Sequence, residues 1–521
     1  MSKQKSAPVF KAYVMNQMSL LPQSYEEKIP GEHLVRLVNE AIEALDLKVL
    51  LAQYEGGGTS SYHPKMMLKV LVYAYCKKIY TSRKIAEALE ENIHFMWLSG
   101  DQTPDFRTIN DFRGKRMKEV IEEVFSAVVE QLVSKGYVKL ENYFVDGSKI
   151  EADANKHKVV WEKRRKRYEG NVKAKIKELL QVIEAENEKE EAEYGEKDLE
   201  SKGGGGSGEE TAQALKETVK ALNERLKGER SKATRKAFQK LEKDCLPRLE
   251  KYEMQEKVLD GRNSYSKTDP SATCMRMKED RGAEKAWPKP SYNVQLGTEG
   301  QFVVGYSVHK DSSDPICLVP HLNKLKHLPK NVIADAAYGS EENYTYLEQH
   351  QLGNYLKYTT FYQDTHPYRN PEIIRKHSFR SSNFDYDPQT DTFTCPNKQP
   401  LTYLYTGKYK TSNGFESERR HYECQNCQDC PLRSQCTKKE SGNRRIQISF
   451  KLIEYRRQAR QNLTSETGMA LRKKRSVEVE TVFGNIKHNM RFRRFHLRGL
   501  AKVNTEWGLV CIAHNMRKLA S

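Results

Sequence analysis

Apolar positions recur at helical spacing through about the first 135 residues. They repeat every three or four residues in 33–51 and again in 66–80, where the shared face carries Met67, Val70, Leu71 and Ala74. His63-Pro64 favours a helix start, because proline suits the first helical turn. Ser82 is expected to cap the next helix, and Pro104–Ile109 leads into another. Region 1–135 is therefore predicted to be all α, either as a helix-turn-helix or as an ordinary bundle.

Short apolar runs bounded by polar turns replace this pattern in 136–156 and 291–360. Such runs are typical of buried strands. They are Tyr143–Val145, Tyr292–Leu296, Phe302–Val308, Asn331–Ala334 and Gly353–Thr360. Two of these predicted strands end in a carboxylate, at Asp146 and at Asp335. Helices are predicted at Pro315–Leu325 and after the cap Ser340, so the pattern indicates an α/β core, a mixed sheet with flanking helices.

Two helical stripes dominate the segment between these strand regions, 157–290. The first is Val172, Ile176, Leu179 and Ile183, and the second is Leu215, Val219, Leu222 and Leu226. The matching spacing predicts an antiparallel helical hairpin. The run Gly203–Gly208 would be its flexible tip, and the sequence leaves open whether that run is natural or an engineered linker.

The C-terminal region, 451–521, is predicted to be helical and basic. One apolar stripe runs through Val479, Val482, Phe483, Ile486 and Met490, and a last helix is expected over about 502–519. The whole chain has 88 Lys plus Arg against 70 Asp plus Glu, a net charge of +18. Residues 441–521 hold 18 of these bases and 5 acids, and 18 − 5 gives +13.

This concentration of charge indicates a polyanionic partner, with nucleic acid favoured over a membrane surface. Phe492, Phe495 and Leu497 alternate with four arginines, which makes a phosphate-binding face more plausible than a plain solvated tail. The arginines expected to bind DNA are Arg491, Arg493, Arg494 and Arg498.

The chain has no apolar stretch of membrane-spanning length and no signal-peptide pattern, so a cytoplasmic location is expected. In that reducing compartment the ten cysteines are thiols or metal ligands. Five of them lie in a polar insert, 361–450: Cys395, Cys424, Cys427, Cys430 and Cys436. Four of these five would suffice for a structural Zn²⁺. The spacing departs from ferredoxin-like iron–sulfur motifs, and free thiols remain the alternative.

Asp146, Asp335 and Glu480 are the candidate catalytic residues. Carboxylates from two strands and a helix can hold two Mg²⁺ ions for in-line displacement at a phosphodiester. Glu478 is a rival third ligand, but it lies about 200° from Glu480 around an α-helix, so both cannot face the same ions. Glu151 and Asp153 are further acidic candidates, for which surface or supporting roles are favoured.

Three segments of this chain resemble the acidic boxes of bacterial insertion-sequence DDE transposases. They are Tyr143–Ala152, Val332–Asn343 and Val479–Lys487. The likeness extends to Pro104–Ile109 and to the cysteine insert, as in a branch with an N-terminal helical DNA-binding domain and a Cys-rich insert. It implies membership of the RNase H-like, retroviral integrase-like superfamily and a catalytic triad of Asp146, Asp335 and Glu480 that binds two Mg²⁺ (or Mn²⁺) ions.

The same resemblance implies two further DNA-binding residues. In many relatives a Lys follows the Glu after six residues, as Lys487 does here, and two helical turns would place both side chains on one face. Arg475 lies one residue away from the position of a family arginine, and it is carried over on that basis. The family's tyrosine has no counterpart at its usual offset.

The expected organisation is a helical DNA-binding domain (1–135), an RNase H-like core (136–156 and 291–360), a helical-hairpin insertion (157–290), a Cys-rich insertion (361–450) and basic helices that complete the core (451–521). The expected activity is metal-dependent cleavage at element ends and strand transfer into target DNA. The expected partners are double-stranded DNA with terminal inverted repeats, target DNA and a second copy in a DNA-bound homodimer at the nucleoid. The alternatives are a catalytically inactive or domesticated DNA-binding protein and a stand-alone RNase H-like nuclease.

Overall fold

The computed structural model describes residues 24–54, 61–193, 211–225, 231–277, 287–366, 371–372 and 378–521. The chain divides into two compact units, 1–128 with 509–521, and 129–508. None of the described helices is long and apolar enough to span a bilayer.

The first unit is built from helices wherever it is described. Their bounds are Tyr25–Lys28, Leu34–Glu43, Lys48–Leu51, Pro64–Cys76, Ser82–Glu91, Ile93–Ser99 and Phe106–Asp111, followed by a π turn, Phe112–Arg116, and the start of Met117–Ser134. The helix Pro64–Cys76 begins where its proline was expected, and its residues 70–76 are fully buried. The cap of the next helix is Thr81, whose side chain accepts a hydrogen bond from the Lys84 N–H, so the prediction of Ser82 was wrong by one residue.

The second unit contains the strands. In chain order they are β1 Asn142–Glu151, β2 Val159–Trp161, β3 Ser264–Ser266, β4 Thr273–Met275, β5 Lys289–Glu299, β6 Phe302–His309, β7 Asn331–Ala334, β8 Gly353–Leu356, β9 Asp385–Asp387, β10 Thr392–Thr394, β11 Pro400–Lys410, β12 Glu416–Cys424 and β13 Arg445–Ile448. The main sheet has the order β4-β5-β1-β7-β8, and β6 also pairs with β5.

Strand β1 lies at the centre of this main sheet. It is antiparallel to β5 and parallel to β7, which is in turn parallel to β8. The expected α/β class is therefore confirmed. Described helices in this region include Leu318–Leu322, Glu341–Gln349, Phe361–Thr365, Phe450–Thr464 and Glu466–Arg475. Ser340 caps the second of these, as predicted.

One strand end differs from its prediction. Strand β7 stops at Ala334, directly before Asp335, but β1 continues through Asp146 to Glu151. It does so because β5 pairs with β1 as far as Glu151↔Ser291, whereas the parallel pairing with β7 ends at Val145↔Ala334. Asp146 is thus the first residue after the parallel pairing, although β1 itself continues.

The insertion between β2 and β3 has more helices than the predicted hairpin. Its helices are Glu162–Glu193, Ala212–Arg225, Lys232–Lys240 and Leu246–Leu259, the last two joined by the π turn Leu241–Cys245. A third stripe, which includes Phe238, Leu241 and Leu249, joins the two predicted ones in a single core. That stripe also has helical spacing and was overlooked. The run 203–208 and Leu226 lie outside the described residues.

The Cys-rich segment forms a separate antiparallel sheet, in the order β13-β12-β11-β10-β9. The basic helix that follows consists of two α-helical parts, Glu466–Arg475 and Thr481–Gly484, each followed by a π turn. The π turns are Ser476–Glu480 and Asn485–Asn489. Every residue of its predicted apolar stripe is buried. The last helix, Leu500–Leu519, also agrees with prediction.

Two glycines make room for Tyr143 of β1. A methyl group on Gly297 would lie 1.7 Å from the Tyr143 Cζ, and one on Gly305 would lie 1.9 Å from its hydroxyl oxygen. That hydroxyl forms a hydrogen bond of 2.8 Å with His321 Nε2. Burial lowers the pKa of His321 to about 3, so this ring stays neutral. The contact between β1 and β5 therefore depends on the absence of a side chain at Gly297.

We expect Gly297→Ala to destabilise the second unit by about 2 kcal/mol or more, because the Tyr143 ring cannot leave a close-packed site without breaking its hydrogen bond. Urea unfolding followed by circular dichroism measures the change. Gly484→Ala is the control, since a methyl group there meets nothing within 4 Å. Equal unfolding midpoints for the two variants would contradict the predicted packing.

Candidate active site

The parallel register of β1 and β7 brings two carboxylates to adjacent positions. Because Val145 is paired with Ala334, the next residues on the two strands are Asp146 and Asp335. Backbone N–H groups orient both side chains: Gly147 donates to Asp146 Oδ1 at 2.9 Å, and Ala337 donates to Asp335 Oδ1 at 2.9 Å. The other oxygen of Asp335, Oδ2, lies 3.7 Å from the Arg475 guanidinium.

Glu480 reaches the same place from the helical segment after Arg475. The Arg475 guanidinium lies 2.8 Å from Glu480 Oε1, 3.8 Å from Asp146 Oδ1 and 3.7 Å from Asp335 Oδ2. Arg475 is buried, whereas the side chain of Glu480 is 53% exposed. The three acidic residues selected from the sequence thus meet around one cation, and Arg475, expected at a DNA surface, is the residue that joins them.

A π turn explains the unusual offset of this arginine. Residues Ser476–Glu480 form a turn of i→i+5 type, which holds one more residue than an α-helical turn. Side chains five residues apart, such as Arg475 and Glu480, therefore share a face here as residues four apart do in an α-helix. The extra residue in the sequence is absorbed by the wider turn.

Glu478 faces away from this cluster. It is 3% exposed and accepts a hydrogen bond of 2.7 Å from the Gln301 N–H, at the turn between β5 and β6. Lys474 pairs with its other oxygen at 3.3 Å. The carboxylate of Glu478 is therefore engaged in holding the helix against the hairpin, which agrees with the preference for Glu480.

Sequence reasoning missed two groups beside the carboxylates. Lys357 follows β8 as Asp335 follows β7, and burial lowers its pKa, followed by the nearby charges of Arg475 and Arg472. Burial raises the pKa of Tyr338, and Asp314, Asp146 and Asp335 raise it further. Since the ends of neighbouring parallel strands meet at one sheet edge, the position of Lys357 was a usable signal.

The basic segment 491–498 alternates as predicted between buried and exposed positions. Phe492, Phe495 and Leu497 are buried, and Arg491, Arg493, Arg494 and Arg498 are exposed. Two of these arginines are already paired, because Arg494 and Arg498 lie 3.0 and 2.9 Å from Asp153. The other two are candidates for a phosphate contact, with Arg493 held at 3.0 Å from His488 Nδ1.

Lys487 lies in the second π turn, Asn485–Asn489. The seven-residue spacing from Glu480 was interpreted as two α-helical turns, and the wider turn changes that geometry. A shared face with Glu480 therefore stays a prediction.

The five cysteines of the insert line one pocket, together with residues such as Pro396 and Arg444. Backbone N–H groups approach two of the sulfurs: Gln399 donates to Cys395 Sγ and Arg444 to Cys427 Sγ, each at 3.4 Å. Burial raises the pKa of Cys424 to about 12, and the neighbouring Cys427 adds to this. Without a cation, the Cys424 thiol is therefore protonated near neutral pH.

Within the described ranges, no group of three or more His, Cys, Asp or Glu side chains has the spacing of a formed metal site. The donor types nevertheless suit different ions. Carboxylate oxygens around Arg475 suit Mg²⁺ or Mn²⁺, and clustered thiols suit Zn²⁺.

Two protein families match parts of the chain. The family described as "Transposase DDE domain" matches residues 394–520, and the one described as "Transposase domain (DUF772)" matches residues 23–115. Glu480 lies inside the first match, whereas Asp146 and Asp335 lie between the two. Comparisons with curated proteins and with solved structures gave no match. A transposase family thus matches each end of the chain, and both matches support the resemblance to the DDE transposases of insertion sequences.

Proposed function

We propose that this transposase cleaves DNA at the ends of its element and joins those ends to target DNA in a metal-dependent reaction. The observation that carries the proposal is the convergence of Asp146, Asp335 and Glu480 on the Arg475 guanidinium. Strands β1, β5 and β6 are antiparallel neighbours, and β7 and β8 then add to β1 in parallel. This order, with Asp146 and Asp335 directly after the parallel pairing, supports an RNase H-like core.

The chemistry consists of two displacements at phosphorus. In the first, water attacks the phosphodiester at the element end, the bond to the 3′-oxygen breaks, and a free 3′-hydroxyl results. In the second, that hydroxyl attacks a target phosphodiester and the target's 3′-oxygen leaves. Bound Mg²⁺ or Mn²⁺ would activate the attacking oxygen and stabilise the leaving one.

The chain's own residues orient these components. Asp146 and Asp335 are held by backbone N–H groups, so their free oxygens have fixed directions. Glu480 is the most exposed of the three acids and would close the site from the helix side. The exposed arginines of 491–498 and Lys487 would hold DNA phosphates beside it.

The remaining assignments belong to the same proposal. The N-terminal helices would read the terminal inverted repeats, and two copies of the chain would hold two ends in a DNA-bound dimer. The helical insertion would serve dimerisation or DNA contact. The cysteine pocket would hold a structural Zn²⁺ through four of its five thiols. Such a protein would act in the cytoplasm, at the nucleoid.

We expect Asp146→Asn, Asp335→Asn and Glu480→Gln each to reduce end cleavage by roughly a thousandfold or more while DNA binding persists, because each removes an anionic oxygen ligand. Mapping the products of a labelled end substrate with Mg²⁺ measures this.

Glu478→Gln is the matched control for these variants. Its amide oxygen can still accept the Gln301 N–H, so activity should remain. Full activity in any of the three acid variants would remove that residue from the site. DNA binding without cleavage by the wild-type chain would favour an inactive DNA-binding protein, and cleavage without joining would favour a nuclease.

Arg475 should compete with metal ions for the three carboxylates. A fixed positive charge within 4 Å of each acid opposes the approach of a second cation. We expect Arg475→Gln to tighten Mn²⁺ binding by about tenfold, a shift of about 1.4 kcal/mol. Titration followed by the paramagnetic resonance of free Mn²⁺ measures the affinity without catalysis.

Lys473→Gln is the control for that experiment, since Lys473 is an exposed lysine on the same helix and its loss removes the same charge. Equal Mn²⁺ affinities for the two variants would show that Arg475 does not occupy the cation's place.

The cysteine pocket should yield about one zinc ion per chain when its thiols are modified. Zinc binds four thiolates that only the folded chain brings together, so its binding stabilises the folded state and its removal should lower the melting temperature. Release by a mercurial reagent, read with a zinc-sensitive dye, measures the stoichiometry. Five freely titrating thiols and no zinc in the purified protein would leave the pocket as an ordinary thiol cluster.

A further inference from the structure

The two longest strands of the Cys-rich sheet extend beyond their neighbours as a ribbon. Strand β10 pairs with β11 only over 400–402, and β13 pairs with β12 only over 420–423. From Gly407 to Arg419 the two strands therefore pair with each other alone, and Tyr405 lies opposite His421, where β13 still pairs with β12. Most side chains of β11 in this part are exposed.

One side of this ribbon carries aromatic and basic groups, which we call the Tyr–Arg face: Tyr405, Tyr409, Arg419 and His421. The rings of Tyr405 and His421 are stacked, with centroids 4.3 Å apart and planes 13° apart. The Arg419 guanidinium lies over the Tyr409 ring, 3.6 Å from its centroid. Tyr405 and Tyr409 are 51% and 43% exposed, so these stacks are presented to the outside.

The charge on the two sides of the ribbon differs. Alternation along the paired strands places Gly407 and Ser417 with the Tyr–Arg face, which therefore has no carboxylate. The opposite side mixes both signs, and there Lys410 pairs with Glu416 at 3.2 Å. Gly407 lies between the two stacks and leaves the surface there flat and uncharged. A methyl group at this position would touch the His421 and Tyr405 rings.

The tip of the ribbon reaches the helix that follows the second catalytic candidate. Asn413 donates a hydrogen bond of 2.5 Å to Glu342, in the first turn of helix Glu341–Gln349. Glu342 is seven residues after Asp335 in the chain. The ribbon thus runs from the cysteine pocket to the helix that follows Asp335 in the chain.

We propose that the Tyr–Arg face binds the DNA duplex that enters this acidic site. A two-stranded ribbon fits the width of a major groove. Guanidinium groups pair with phosphates, and tyrosine rings contact bases and sugars. A protein partner would suit exposed Tyr and Arg equally, but the absence of carboxylates from this face and the contact of the tip with the helix that follows Asp335 favour DNA. This proposal rests on the proposed function.

Full-length protein in a buffer without added Mg²⁺ or Mn²⁺ and without chelator, with a fluorescein-labelled duplex of arbitrary sequence, provides the test, because binding is then measured without cleavage and any zinc in the cysteine pocket is kept. Arg419→Gln should weaken binding by about tenfold and reduce the slope of log affinity against log salt by about one. Tyr405→Ala should weaken binding severalfold and leave the slope unchanged. Lys408→Gln, an exposed charge loss on the opposite side, should change affinity less than about twofold.

A crosslinking measurement on the wild-type chain needs no variant to fold. Irradiation with an iododeoxyuridine-substituted duplex should attach DNA to the peptide that carries Tyr405 or Tyr409. Equal binding by Arg419→Gln and Lys408→Gln, or a crosslink elsewhere only, would overturn the proposal. A change in oligomeric state of Arg419→Gln with unchanged DNA affinity would overturn it in favour of a protein interface. Failure of the wild-type chain to bind any duplex would instead defeat the proposed function.

Discussion

The repulsion between Asp146 and Asp335 is the constraint that shapes the rest of the site. The parallel register of β1 and β7 places the two carboxylates side by side, and Asp146 is 7% exposed. Like charges in such a setting require a nearby cation, because water screens them poorly. Arg475 supplies that charge from the helix and draws Glu480 into the same cluster. Sheet register, helix position and site geometry are thus coupled by one guanidinium.

The helix that carries Arg475 has two tasks, and its π turn allows both. One side must bury the stripe that includes Val479 and Val482, while the other must present Arg475 and Glu480 to the sheet edge. An α-helical turn would rotate one of these sets away. The wider turn at Ser476–Glu480 keeps them aligned and sends Glu478 to the β5–β6 turn, where it accepts the Gln301 N–H. A local departure from α geometry at a functional site is a recurring use of π turns.

The Cys-rich insert connects two features that the sequence presents separately. Its thiol pocket lies at the base of the ribbon, where Cys424 ends β12, and the ribbon's tip contacts Glu342. A two-stranded ribbon alone is only marginally stable in water. Its fixed base and its anchored tip therefore explain how exposed tyrosines and arginines can be held in a defined arrangement.

Much of the fold and the acidic triad were predictable from the sequence, because their signals are local. Strand-length apolar runs located β1, β5, β6, β7 and β8, and helical stripes located the basic helix. Other features depend on contacts between distant segments. The continuation of β1 past Asp146 follows from its pairing with β5. Arg475 is buried because Asp146 on β1 and Asp335 after β7 meet a helix that lies more than a hundred residues further along the chain. The sequence by itself determined which residues carry the negative charges of the site. The tertiary structure decided that three of these residues surround the Arg475 guanidinium, because sheet register and helix rotation set the distances between side chains.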